Sequence, residues 1–227
     1  MPPRALEPSG LFLIDKPEGP SSFAVVADMR RRTGARTGHA GTLDPFATGL
    51  LLVLSGRATK LASCFVGLDK RYLTHVDLRT VTDTGDREGS VLGEQEPPDE
   101  DELGRRLEGL RGEVELPVPT ASAVKIGGER AYRLHRRGVA VEMPLRRSRV
   151  DALDVISYSA GVARLDLRVS SGTYVRSIAT ALGGHCASLR RTEVGPFQVE
   201  EADPERLISA DEALARLGPA GAAAPEA

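Results

Sequence analysis

Residues 38–56, GHAGTLDPFATGLLLVLSG, place one carboxylate in a loop punctuated by glycine and proline and then run directly into an apolar stretch. Gly38, Gly41 and Gly49 permit backbone conformations and close approaches that side chains forbid, so the segment reads as a tight loop. Pro45 disfavours the helical region for Asp44 and holds it extended. The run Leu50, Leu51, Leu52, Val53, Leu54, closed by Ser55 and Gly56, has the pattern of a strand buried on both faces; periodicity alone leaves a short buried helix open. A carboxylate at the mouth of a buried strand stands where catalytic groups often stand, on a loop positioned by a rigid scaffold. The competing reading is a glycine-rich turn with a surface aspartate.

The rest of the chain bounds what that loop serves. With 227 residues, 41% hydrophobic and 27% charged, the composition is that of an ordinary soluble globular protein. The length admits one large core or two small domains, and one core is the simpler expectation. No stretch approaches the roughly 20 apolar residues of a membrane span. The opening MPPRALEPSG lacks the apolar core of a signal peptide, so a cytoplasmic location is expected. Cys64 and Cys186 form neither a disulfide framework nor a metal-ligand spacing, and both are expected as buried thiols. Walker and dinucleotide fingerprints are absent, as is the H-x-E with PC-x-x-C signature of zinc deaminases.

The net charge is −2, but the charge is unevenly spread. Arg30, Arg31, Arg32 and Arg36 precede the central loop. Residues 125–149 carry Lys125, Arg130, Arg133, Arg136, Arg137, Arg146, Arg147 and Arg149 against Glu129 and Glu142, whereas acids gather between Glu94 and Glu102. A basic face on a nearly neutral protein suits RNA binding; a solvated charged surface is the alternative.

Residues 11–17, LFLIDKP, read as a short strand stopped by Pro17, with Lys16 a surface lysine beside the following turn. Ser21 or Ser22 caps a helix from Phe23, with Phe23, Val26 and Met29 at helical spacing and Gly34 its terminator. In KRYLTHVDLR, Tyr72, Thr74, Val76 and Leu78 share one face of a strand, opposite Leu73, His75 and Asp77. TVTDTGDREG is a turn-rich loop with Asp83 and Asp86, without the spacing of the twelve-residue calcium loop. DEDELGRRLEGLRG is an amphipathic helix with Leu103, Leu107 and Leu110 in one stripe. VDALDVIS and ARLDLRVS are strands. SSGTYVRSIATALGGH passes through Gly172 into a helix with Val175, Ile178, Ala179 and Leu182 facing the core. Arg176 falls in its first turn, the end that favours negative charge, so a carboxylate is expected nearby. Residues 189–203 return as a strand, and Ser209 with Glu212 caps a last helix that Gly218 and Pro219 stop.

Several of these stretches together resemble the TruB-type pseudouridine synthases, which isomerise the uridine at position 55 of tRNA. The resemblance runs over residues 10–215 and rests on GH-x-G-x-LDP-x-ATG, LxDKPxGxSS, RATKL, KRY, TDTxDxxG, GTYxR and LRRTEVGPF. It implies an α+β fold, a pseudouridine-synthase core with a central mixed, largely antiparallel sheet flanked by helices and loops. It implies Asp44 as the essential nucleophile, Tyr72 as the aromatic that stacks on the target base, and Arg176 as the arginine that pairs with the catalytic aspartate. His39 matches the histidine that takes up space near the displaced base; for an isolated histidine a satisfied structural role is the alternative. Asp86 either joins the network of the active-site arginine or closes its loop. Lys16, Lys125, Arg136 and Arg137 are the remaining RNA-side candidates.

Residues 117–149 resemble the family's RNA-clamping insertion, or thumb, but Ala121 and Leu116 stand where the family has a tyrosine and a glutamine. Many members continue into a C-terminal PUA domain; here the chain is expected to end first, with flexible termini at 1–9 and 218–227. The reaction loses no atoms, so neither cofactor nor metal is implied. The expected partner is tRNA through its T-arm stem-loop, with no membrane and no obligate protein partner, and a monomer. Two other classes compete: a glycosidase-like hydrolase, which normally needs a second carboxyl, and a non-catalytic RNA-binding module.

Overall fold

The structure, a computed structural model, describes residues 9–218; the expected flexible termini fall almost wholly outside them. In chain order the elements begin with β1 (Gly10–Lys16), α1 (Ser22–Thr33), β2 (Thr37–His39), β3 (Thr48–Ser55), α2 (Ala62–Val66) and β4 (Lys70–Asp77). They continue with β5 (Thr80–Thr82), β6 (Val91–Glu94), α3 (Glu100–Glu108), β7 (Gly112–Pro117), β8 (Lys125–Ile126), β9 (Glu129–Arg130) and α4 (Ala131–Arg136). Last come β10 (Leu145–Ser159), β11 (Val162–Val169), α5 (Val175–Ala181), β12 (His185–Val194), β13 (Phe197–Gln198), β14 (Asp203–Ser209) and α6 (Ala210–Arg216). The contacts divide the chain into two compact units, residues 9–72 with 190–218 and residues 73–189, where length made one core the simpler expectation.

In the first unit the strands run in the order β14, β1, β3, β12, with β2 also on β3. β1 is antiparallel to both its neighbours, whereas β12 is parallel to β3 through Arg190 opposite Thr48 and Arg191 opposite Gly49. The apolar run is a strand, not a short helix, and Leu50 to Leu54 are at most 1% exposed. Alternate residues point to opposite faces. Leu50, Leu52 and Leu54 therefore pack with Leu11, Leu13, Phe65 and Phe197, while Leu51 and Val53 pack on the other side with Phe12, Ile14, Val26 and Met29. α1 begins where expected, with the Ser21 side chain accepting from Ala24 N–H, and ends on Gly34 at φ 66°. Phe23 departs from expectation: Val26 and Met29 face inward, but Phe23 is 76% exposed.

The second unit carries the order β12, β4, β11, β10, β7. Tyr72, the last residue of the first unit's opening segment, and Thr74, Val76 and Leu78 of the second are buried as their alternation predicts. Leu103, Leu107 and Leu110 form the buried stripe of the α3 segment, and the Asp99 side chain caps α3 by accepting from Glu102 N–H at 2.8 Å. β10 pairs antiparallel with β7, Leu145 opposite Pro117, so the two ends of the thumb-like insertion meet at one sheet edge. Arg146, Arg147 and Arg149, within the expected insertion 117–149, lie in β10. Both units combine helices with mixed, mainly antiparallel sheet, the expected α+β class. Cys186 is buried, but Cys64 is only half-buried, and both are free thiols.

Candidate active site

The Asp44 loop, residues 40–47, joins the antiparallel pair β2 and β3, and its backbone is held by side chains from three other elements. Ser22, in the first turn of α1, donates from its hydroxyl to Leu43 O and accepts from Leu43 N–H, both at 2.8 Å. On the other side of Asp44, Pro45 O accepts from Lys16 Nζ at 3.2 Å and from Gly19 N–H at 2.9 Å. Further back, the Arg191 guanidinium of β12 donates to Gly41 O at 3.1 Å and Thr42 O at 3.4 Å, and to Leu50 O at 2.7 Å beyond the loop. Asp44 itself is half-buried. The backbone on both sides of the carboxylate is thus fixed while the residue keeps access to solvent.

Two sequence readings change here. Lys16 is no surface lysine: it is 0% exposed, and its ammonium also donates to Pro17 O at 2.9 Å and Pro20 O at 2.8 Å. A buried ammonium has to be matched by such acceptors, so Lys16 braces the loop and offers no surface charge for a phosphate. Gly38 needs no special conformation, lying in β2 with open space around it, whereas Gly41 and Gly49 have φ of 93° and 102°. At Gly49 a Cβ would stand 2.2 Å from Arg191 O, so β3 approaches β12 at a point where a side chain has no room.

His39 closes β2. Its Nδ1 is buried without a hydrogen-bond partner among the described residues. Burial, then the nearby charge of Arg191, lowers its pKa, favouring the neutral ring. Lys70 is likewise buried, with Nζ donating to Val66 O at 2.6 Å and also to Leu68 O. Burial foremost, with the charge of Arg191 adding to it and Asp69 opposing, brings its pKa down to about 8. Arg191 Nη1 and Lys70 Cε lie 3.6 and 3.8 Å from the Cβ position of Gly41. The sequence reading missed Arg191 and Ser22. Their signal was only a second arginine in LRRT and a second serine after a turn. Tyr72 is 7% exposed, on the buried face of β4.

In the second unit, Arg176 enters α5 with 2% exposure and meets the expected carboxylate, Asp86, at 3.3 Å. It also donates to Thr84 O at 2.8 Å and to Ala121 O at 3.1 Å. Asp86 Oδ1 accepts from Thr84 Oγ1 at 2.8 Å and Glu88 N–H at 3.0 Å, so the carboxylate both closes its loop and neutralises the arginine. Ala121 contributes its carbonyl to this network. The neighbouring Asp83 meets the insertion twice, through Thr120 Oγ1 to Asp83 O at 2.9 Å and His135 Nε2 to its carboxylate at 3.5 Å. Lys125, Arg136 and Arg137 are exposed on the insertion. Arg137 pairs with Glu129 at 2.8 Å, and Arg136 lies over the Tyr132 ring at 5.7 Å.

Residues 30–175 match the model of the TruB family pseudouridylate synthase N-terminal domain. The chain is 40% identical over 93% of its length to tRNA pseudouridine synthase B of Corynebacterium jeikeium, covering 77% of that protein. The chain belongs to the TruB family. The corresponding TruB protein of Leifsonia xyli is 42% identical over 96% of the chain and is itself covered to 74%. Among solved structures, a chain of a Cbf5–Nop10–Gar1 complex superposes with a TM-score of 0.65 at 27% identity, over 84% of this chain; the chain spans 50% of that one.

Proposed function

We propose that this chain isomerises uridine to pseudouridine at position 55 in the T loop of tRNA, with Asp44 as the catalytic carboxylate on a flipped-out base. Membership of the TruB family makes it an isomerase that acts on tRNA. The observation that carries the assignment of Asp44 is the side-chain clamp on Leu43 and Pro45, its two neighbours in sequence. Catalysis gains from a reacting group held in one place, and a misplacement of about 1 Å costs on the order of 100-fold.

The reaction breaks the bond between uracil N1 and ribose C1′, turns the base, and joins C5 to C1′; the C5 proton is lost and N1 gains one, so the product is an isomer. The Asp44 carboxylate serves as nucleophile toward C6 or C1′, or as base toward a ribose proton, and splits one hard step into easier ones. Extruding the uridine costs a few kcal/mol. Tyr72 offers a ring for stacking, and His39 takes up space near the displaced base. We assign Arg176, ion-paired with Asp86 at 3.3 Å, a part in the reaction. Lys125, Arg136 and Arg137 bind the T-arm backbone, Lys16 braces the Asp44 loop, and the enzyme works in the cytoplasm without an obligate partner.

Asp44→Asn tests the reading, because it keeps the size of the side chain and removes its charge. Incubated with unmodified tRNA, the variant is expected to bind as the wild type does and to form no pseudouridine. Substantial turnover by the variant sinks the assignment, and wild-type binding without product favours a non-catalytic RNA-binding module.

A further inference from the structure

We infer that Phe23 is a base-stacking platform at the rim of the Asp44 loop, taking an unpaired nucleobase of the substrate RNA while Arg30 and Arg36 attract the adjoining backbone. The inference rests on RNA being the substrate and not on the role of Asp44. Of the nine aromatic side chains, all described, Phe23 alone is exposed, at 76%; the other four phenylalanines are at most 5% exposed, Tyr72 is buried, and Tyr132, Tyr158 and Tyr174 are half-buried. It directly follows Ser22, whose hydroxyl holds Leu43, and Gly19 N–H reaches Pro45 O at 2.9 Å. The segment before Phe23 is therefore laced to the residues on both sides of Asp44.

The surroundings suit a nucleic acid. Residues 19–36 carry four arginines against Asp28 alone. Arg31 is engaged by Asp28 and Arg32 by Glu205, but the Arg30 and Arg36 side chains have no ion-pair partner among the described residues. Seven residues separate Phe23 from Arg30, two helical turns, so both lie on one side of α1 about 10 Å apart along its axis. An aromatic plane on the same side of a helix as an exposed arginine suits a single-stranded nucleic-acid contact, tolerant of sequence because every base has a π-face.

The chain contains no tryptophan, so Phe23→Trp installs a single reporter. In an Asp44→Asn background, titration with a T-arm stem-loop RNA should quench that emission, and a blunt duplex with the same number of phosphates should not. Phe23→Ala and Phe23→Leu should weaken stem-loop binding about 5- to 100-fold, with Phe23→Tyr and Phe23→Trp near wild type and the salt dependence unchanged. Unquenched emission at saturating RNA, equal quenching by the duplex, or Phe23→Ala binding within twofold overturns the inference. Pseudouridine formation by the wild type is measured separately: its absence alongside quenching defeats the reading of Asp44 and leaves Phe23 standing.

Discussion

The Ser22 hydroxyl and the Leu43 backbone exchange two hydrogen bonds of 2.8 Å, in an environment where Ser22 is 1% and Leu43 3% exposed. Removing the hydroxyl leaves a buried N–H and a buried carbonyl unmatched, at a cost of about 1–3 kcal/mol each. Ser22→Ala is thus expected to lower stability by about 2 kcal/mol or more and, by loosening the residue before Asp44, to cut the single-turnover rate about 10- to 100-fold. The tRNA Kd should stay within twofold. A rate that follows Kd, with no separate loss, means the loop does not depend on Ser22.

Gly49 and Gly38 make a paired prediction. A Cβ at Gly49 meets Arg191 O at 2.2 Å and N at 2.7 Å, on a backbone at φ 102°, so steric overlap adds to conformational strain. Gly49→Ala is expected to cost about 3 kcal/mol or more in urea unfolding. Gly38 has open space and no positive φ, so Gly38→Ala should lie between neutral and about 1 kcal/mol stabilising. Equal effects at the two positions contradict the packing described for β3 and β12.

What the sequence made legible follows from which interactions are local. The period-2 burial of Tyr72, Thr74 and Val76, the Leu103–Leu107–Leu110 stripe and the caps at Ser21 and Ser209 are properties of single segments, and they stand as read. A carboxylate near Arg176 was also foreseeable, because a cation at a helix N-terminus opposes the dipole. The clamp was not. Arg191 reaches Leu50 from 141 and Gly41 from 150 residues away in sequence, and no periodicity reports that. Lys16 and Phe23 failed in opposite directions for one reason. Residue type sets a preference for surface or core, and tertiary acceptors buried the lysine while the orientation of α1 left the phenylalanine outside.

Lys70 should leave a signature in stability against pH. Its folded pKa is lowered from 10.5 to about 8, chiefly by burial. Between those values the unfolded chain holds a proton that the folded protein has released, so stability rises with pH across the window. Below about pH 8 the buried charge opposes folding in full, by up to about 3 kcal/mol. Urea unfolding at pH 7.5 and 9.5 should show the wild type gaining on Lys70→Met as pH rises. The difference between the two proteins cancels groups that titrate alike in both. A constant difference places the ammonium in a solvated setting.

The insertion supplies the last prediction. Each phosphate neutralised by a lysine or arginine releases counterions, so the logarithm of affinity falls with the logarithm of salt by about 0.7–0.9 per contact. Replacing Arg136 and Arg137 with alanine should weaken tRNA binding and flatten that slope by up to about 1.4–1.8 for two lost contacts. The two arginines differ in what they must give up. Arg136 lies over the Tyr132 ring with no ion-pair partner among the described residues, whereas Arg137 must exchange the Glu129 carboxylate at 2.8 Å. Glu129→Gln should therefore tighten binding at low salt, because the competing charge is gone, and Arg137→Ala should abolish that gain while Arg136→Ala leaves it. Filter binding across a salt series reads all of these. A slope unchanged in the double alanine variant makes this stretch an ordinary solvated surface and moves the phosphate contacts elsewhere.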